Sequence, residues 1–174
     1  CSPSRSVATG RPCVVELDPI DAAIVRELQD DARLANNVLA ARVGIAPSTC
    51  HGRVRSLFER GVIRGAHAEV DQASIGRPLQ AMISVRLRPH ARGELSAFAQ
   101  AMTTLPEVLN VYFLAGADDF LIHVATAGSE ELREFVLNHL SGTRDVAMTE
   151  TSLIFEHLRG RPAEQGSARR APQG

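Results

Sequence analysis

Lysine is missing from this 174-residue chain, so all 19 of its basic residues are arginines. Arginine is always ionised and forks onto phosphate and guanine edges, although a coding bias toward arginine gives the same composition. Cysteine is scarce: Cys1, Cys13 and Cys50 are odd in number and share no C-x-x-C spacing. That excludes a disulfide scaffold and a zinc ribbon, and points to reduced thiols, with Cys50 as a core thiol. No apolar run approaches the roughly 18 residues that a membrane span needs. Cys1 to Gly10 also lacks the apolar stretch of a signal peptide, so a cytoplasmic protein with no membrane partner is expected. G-x-S-x-G, P-loop and G-x-G-x-x-G patterns are absent. The six histidines, at 51, 67, 90, 123, 139 and 157, show no H-E-x-x-H or close pairing, so no metal site is expected.

What is present is ordinary globular usage, 44% hydrophobic and 22% charged, with a net charge of −1 that neither favours nor forbids a nucleic-acid partner. Residues 1–15 and 159–174 are rich in Ser, Pro, Gly and Arg without an apolar period and read as disordered tails. Between them the apolar period changes once, dividing the chain into residues 16–65, a linker strand over 66–77, and residues 78–158.

The first part has a helical period. Leu17, Ile20, Ile24, Val25 and Leu28 form a stripe behind an Asp18 N-cap and Pro19, with Asp21 standing in for a capping-box Glu. A second, short helix over Asn36 to Val43 turns Val38, Leu39 and Val43 inward and ends at Gly44. A third runs from Pro47 to about Arg60, with Cys50, Val54, Leu57 and Phe58 at core spacing and Gly61 as its stop. Val62-Ile63 then reads as a short strand able to turn back as a wing. Two helices joined by a glycine turn and held on a preceding helix make a helix-turn-helix.

Charge polarises this unit. Arg42, Arg53, Arg55, Arg60 and Arg64 oppose only Glu59, whereas Glu16 to Asp31 is strongly acidic. The third helix therefore carries the positive side, and Pro47, Ser48, Thr49, His51, Arg53 and Arg55 are the candidate contacts to double-stranded DNA.

The second part has period two. Leu79, Ala81, Ile83, Val85 and Leu87 alternate with polar neighbours in a half-buried strand. A helix from about Gly93 to Thr104 carries Leu95, Phe98, Ala99 and Met102. Strands follow over Val108 to Ala115 and Phe120 to Thr126, joined by a Gly116 to Asp119 turn. Ser129 reads as the cap of a helix lined by Leu132, Phe135, Val136 and Leu140, and Val146 to Glu156 is the last strand. This is β-α-β-β-α-β, the ferredoxin-like plan of an α+β protein. One sheet face stays uncovered and partly apolar, so an oligomer is expected. An RNA-recognition module would need aromatics on the third strand, which offers only Phe120 and His123. The absence of C-x-x-C removes a metal carrier.

The hairpin tip, Leu114-Ala115-Gly116-Ala117-Asp118-Asp119, reads either as plain turn residues or as a ligand site. In the second reading its carboxylates and exposed backbone N–H groups suit a zwitterion. Thr149 and Thr151, two apart on the last strand, are candidates to add hydroxyls.

The stretches LDPIDAAIVRELQDDAR, LAARVGIAPSTCHGRVRSLFERGVIRG, LAGADDFLIHV and TETSLIF, in that order, resemble the Lrp/AsnC family of feast/famine transcription regulators over roughly Leu17 to Leu158. The resemblance implies a winged or plain helix-turn-helix domain followed by an effector-binding domain. It further implies homodimers that assemble into tetramers or octamers, bind pseudo-palindromic operators and respond to an amino-acid effector, with no other cofactor. Gly116 and Asp119 fall on the family's G-x-x-D positions, and Thr149 and Thr151 on its final-strand threonines. Three positions depart from the family: Ala46 replaces a usual Ser, Gly52 occupies a position often basic, and Asp118 stands where an aromatic is common. Two rivals from other classes are a sirohaem-decarboxylase-like enzyme recruiting His123 or His157, and an amino-acid sensor that does not bind DNA. The basic third helix argues against the enzyme.

Overall fold

The computed structural model describes residues 16–158; both expected tails lie outside the described residues. The chain divides between Ala68 and Glu69 into two compact units.

The first unit holds α1 (Pro19–Asp30), α2 (Asn36–Val43) and α3 (Pro47–Glu59). Asp18 caps α1, its Oδ1 accepting the Asp21 N–H at 2.8 Å, and Pro19 takes the first helical position where no N–H is needed. Gly44 ends α2 with φ 72°, a left-handed conformation that a side chain would strain. The Asn36 side-chain amide donates to the Pro47 carbonyl at 2.8 Å, fixing the turn between α2 and α3. Ile24, Leu39, Ala40, Cys50 and Leu57 close the core.

Three expectations fail here. Val38 is 40% exposed, because a two-turn helix has only one face to bury and Leu39, Ala40 and Val43 occupy it. Phe58 is exposed at the end of α3, where it lines a cleft of about 200 Å³ with Leu28, Leu34 and His51. The wing does not form among the described residues. Gly61, at φ 70°, turns the chain back, and the Val62 and Ile63 N–H groups both donate to the Leu57 carbonyl, so these side chains join the helical core.

The expected linker strand over 66–77 is likewise absent. The chain there makes a short 3₁₀ turn, Ala73–Ile75, closed by Gly76 at φ 84°. Asp71 accepts the Ser74 N–H, and Arg77 reaches the Pro106 carbonyl. Side-chain and turn bonds pair the N–H groups of residues 73–77, and residues 66–71 are exposed to water, so the backbone needs no ladder.

The second unit contains β1 (Leu79–Leu87), α4 (Leu95–Thr103), β2 (Val108–Phe113), β3 (Phe120–Thr126), α5 (Ser129–Phe135) and β4 (Val146–Ile154). Neighbouring strands are antiparallel in the order β2-β3-β1-β4, the ferredoxin-like arrangement of an α+β fold. Ala81, Ile83, Val85 and Leu87 from β1 join Phe120, Ile122 and Val124 from β3 in one core with Met102, Leu132, Phe135 and Leu140. A 3₁₀ segment, Pro89–Glu94, precedes α4, and a π-helical turn, Val136–Ser141, extends α5. Ser129 does not cap α5 but is its first residue. Gly128 holds the cap position, and the Glu131 carboxylate accepts the Ala127 N–H at 2.5 Å instead.

Candidate functional site

Across α3, side-chain direction separates residues that the sequence grouped together. Cys50 and Leu57 are buried, so residues half a turn away from them point outward: Ser48, Gly52, Arg55 and Glu59 are all exposed, as are Pro47 and Thr49. His51 is exposed but lies to one side, lining the cleft with Phe58. Gly52, inside the helix, costs about 1 kcal/mol relative to alanine. Ala46 gives no side-chain cap to α3.

Arg53 departs most from expectation. Its Nη1 lies 2.5 Å from Asp18 Oδ2 and 2.8 Å from Asp21 Oδ1, while Arg60 Nη1 lies 3.1 Å from Asp21 Oδ2. Arg53 thus ties α3 to the first turn of α1 rather than facing outward. Asp21 is only 6% exposed, and a buried carboxylate needs such partners. The sequence carried the signal: Asp21 sits on the apolar stripe, one position after Ile20 and three before Ile24. Asp18 is held below the ordinary aspartate range, first by the Asp21 N–H and then by the Arg53 guanidinium. Among the described residues Arg55 pairs only with Glu59, one turn on, and both are well exposed.

In the second unit the hairpin tip is tightly tied. The Leu114 N–H donates to the Asp119 carbonyl at 2.9 Å, and the Asp119 N–H donates to the Val85 carbonyl at 2.9 Å. Asp119 Oδ2 accepts the Leu87 N–H at 2.8 Å, beside the irregularity in register between Arg86 and Leu87. Arg86 Nη2 lies 3.4 Å from Asp118 Oδ1. Leu114, Ala115, Gly116 and Ala117 are exposed around these two half-buried carboxylates.

Thr149 and Thr151 do not join that group within one chain. They pair with Val85 and Ile83, which places them on β4 beyond β1 and on the helix-covered side of the sheet. Two strand spacings, about 10 Å, separate them from β3. Ser141 Oγ lies 3.3 Å from Thr149 Oγ1. A cleft of about 440 Å³ in this unit is lined by other residues, including His90, Phe98, Met102 and Asp145. No group of three or more potential metal ligands occurs among the described residues.

The uncovered sheet face carries His123, missed as a structural residue. Its Nε2–H donates to Gln80 Oε1 at 2.9 Å, and its Nδ1 faces the Asn110 amide at 3.4 Å, an arrangement that suits the neutral ring. Burial, and then the His157 charge, push its pKa below the ordinary histidine value of 6.5. A base with a depressed pKa binds fewer protons folded than unfolded, so stability is full above 6.5 and falls as the pH drops below it. The melting temperature of this unit is therefore expected to fall between about pH 7 and pH 5, and His123→Gln to flatten that slope. An equal slope in the variant would assign it to other groups.

Comparison with known proteins agrees with this layout. The AsnC-type helix-turn-helix domain matches residues 17–57, and the Lrp/AsnC ligand binding domain matches residues 80–163. The HTH-type transcriptional regulator AldR of Mycolicibacterium smegmatis is 57% identical over 145 residues, 83% of this chain and 85% of that protein. The crystal structure of MtbAldR, the Mycobacterium tuberculosis protein, superposes with a TM-score of 0.75 at 52% identity, covering 87% of this chain and all of that one. A transcriptional regulator from Neisseria meningitidis, NMB0573, in complex with L-Met, superposes with a TM-score of 0.73 at 29% identity, over 84% of this chain and 94% of that one. These relatives are regulators and not enzymes, which removes the decarboxylase reading. No helix among the described residues is long and apolar enough to cross a membrane.

Proposed function

We propose, for a chain that belongs to the Lrp/AsnC family and is a transcriptional regulator with a helix-turn-helix domain and a ligand-binding domain, that the outward face of α3 reads an operator and that an amino acid modulates the reading. Pro47, Ser48, Thr49 and Arg55 are the contacts in this scheme, with His51 at the flank. Arg53 acts behind them as a strut. The observation that carries the first half is the outward row of short hydroxyls and one guanidinium on a helix whose other face is closed by core and ion pairs. Two such helices, from a homodimer, would enter successive major grooves about 34 Å apart on a pseudo-palindromic site.

For the second half, Asp118 and Asp119 supply carboxylates for the ligand's ammonium group, and the exposed Ala115 to Ala117 backbone supplies donors for its carboxylate, the Leu114 N–H being taken by the Asp119 carbonyl. The L-Met complex of the Neisseria relative supports an amino acid as the ligand class. Because Thr149 and Thr151 lie two strands away on the chain's own sheet, they complete this pocket only when another copy brings its β4 to the hairpin. The pocket is then a device for coupling ligand to assembly, as a dimer, tetramer or octamer, and so to the spacing of the α3 helices.

A gel shift with DNA from upstream of the protein's own gene, at fixed salt and with and without amino acids, tests both halves. A shift altered by one amino acid is expected. No shift at low salt would overturn the DNA half, and a shift indifferent to every amino acid would overturn the effector half. Arg55→Ala should weaken operator binding by about tenfold or more, the value of one bidentate base contact, and leave the melting temperature near its starting value because its Glu59 partner is exposed. Unchanged operator affinity would remove Arg55 from the interface.

A further inference from the structure

Gly52 stands at the middle of the outward face of α3, between Ser48 one turn before it and Arg55 and Ser56 one turn after. Glycine inside a helix is normally explained by the backbone or by a neighbour. Gly44, Gly61 and Gly76 have positive φ values and Gly52 does not. A Cβ added at Gly142 would meet the Leu137 carbonyl oxygen at 2.3 Å, and one at Gly65 would meet His67, whereas a Cβ at Gly52 meets nothing within 4 Å. Nothing among the described residues of the helical unit therefore calls for glycine here, and helix propensity argues against it.

We propose that Gly52 is the position at which the α3 backbone makes its closest approach to the floor of the DNA major groove, and that it sets which operators the protein can read. This rests on the DNA-binding reading above. A helix 10–12 Å across fits a groove about 12 Å wide with little to spare, so the side chain at the centre of the outward face sets how deep the axis can sit. The flanking groups fit a deep seat. Ser48 and Thr49 have short hydroxyls that reach base edges only from a close backbone, and Arg53, which could bridge a wider gap, is held by Asp18 and Asp21. A glycine at the contact point leaves room for a base edge or a thymine methyl where a β-carbon would stand. Alanine there lifts the whole helix and loosens the flanking contacts together.

The test uses the full chain with Gly52→Ala and Gly52→Leu. The probes are duplexes of about 30 base pairs, selected by the natural protein from a library with a randomised centre, and a scrambled duplex of the same composition. Gly52→Ala should melt at a higher temperature than the natural protein, yet bind the selected duplex about tenfold or more weakly. Gly52→Leu should bind it more weakly still. Affinity for the scrambled duplex, set by phosphates, should change less than about twofold for either variant. Selected-duplex binding by Gly52→Ala as tight as that of the natural protein would overturn the proposal. A lowered melting temperature would overturn it too, by showing a role inside the fold. If the natural protein selects no duplex at all, the DNA-binding reading falls and this inference with it.

Discussion

Arg53→Ala is expected to unfold a large fraction of the helix-turn-helix unit and to abolish operator binding through that loss, not through a missing DNA contact. The guanidinium bridges Asp18 and Asp21 at the start of α1, and Asp21 also takes Arg60. Removing Arg53 leaves a carboxylate that is 6% exposed with one long, partly solvated arginine in place of two. Breaking a pair at a buried carboxylate is strongly destabilising, and the one-third exposure of Arg53 moderates that cost without removing it. A unit of roughly 50 residues has only a few kcal/mol to lose. Asp21→Ala should cost a comparable amount, since it leaves both arginines without that partner. Arg53→Lys should recover part of the loss, because a single nitrogen, Nη1, meets both carboxylates and an ammonium group can take its place, although a shorter reach and stronger hydration keep the recovery incomplete. Hydrogen exchange of α1 and α3 amides reads this directly. The alternative is equally clear: native protection with lost DNA binding would return Arg53 to the interface.

The same network carries a pH dependence. The folded-state pKa of Asp18 lies below its unfolded value, so its contribution is complete above about the ordinary aspartate value and is lost as the pH falls through the depressed one. The helical unit should therefore weaken in acid well below the range in which His123 acts on the second unit.

How far the sequence led depends on whether a feature is local. The elements of both units follow from period, caps and glycines, because those signals act within a turn of helix or a pair of strands. Arg53 could have been assigned inward by the same arithmetic: it falls three residues after Cys50 and four before Leu57, on the inner stripe. The excess of arginines on α3 argued the other way, but charge counts carry no direction. Val62 and Ile63 have strand-forming side chains, and the nearby Leu57 carbonyl outcompeted a ladder for their N–H groups. Thr149 and Thr151 were correctly placed on one strand and one face. Which face, and how far from the hairpin, depends on register between β1 and β4, and a slip of one residue would reverse it. That information is distributed over the whole sheet.

The hairpin permits a sharper separation of structure from ligand binding than a plain truncation does. Asp119 Oδ2 accepts the Leu87 N–H, so Asp119→Ala leaves that donor without its acceptor and should cost about 1–3 kcal/mol of stability in the second unit. A loss of amino-acid binding in that variant would be ambiguous. Asp119→Asn is the informative change, because its amide oxygen still accepts from Leu87 while the negative charge is gone. Its melting temperature should stay close to that of the natural protein. Its affinity for the amino-acid effector should fall by about 10- to 100-fold, the difference between a charge-assisted hydrogen bond to an ammonium group and a neutral one. Asp118 already has the Arg86 guanidinium at 3.4 Å, so its charge is partly answered within the chain, and Asp118→Asn should have the smaller effect. Calorimetric titration of each proteinogenic amino acid into the three proteins ranks these effects. Equal affinity of Asp119→Asn and the natural protein would move the ammonium site away from Asp119. A larger loss in Asp118→Asn would move it to Asp118, with Arg86 released on binding.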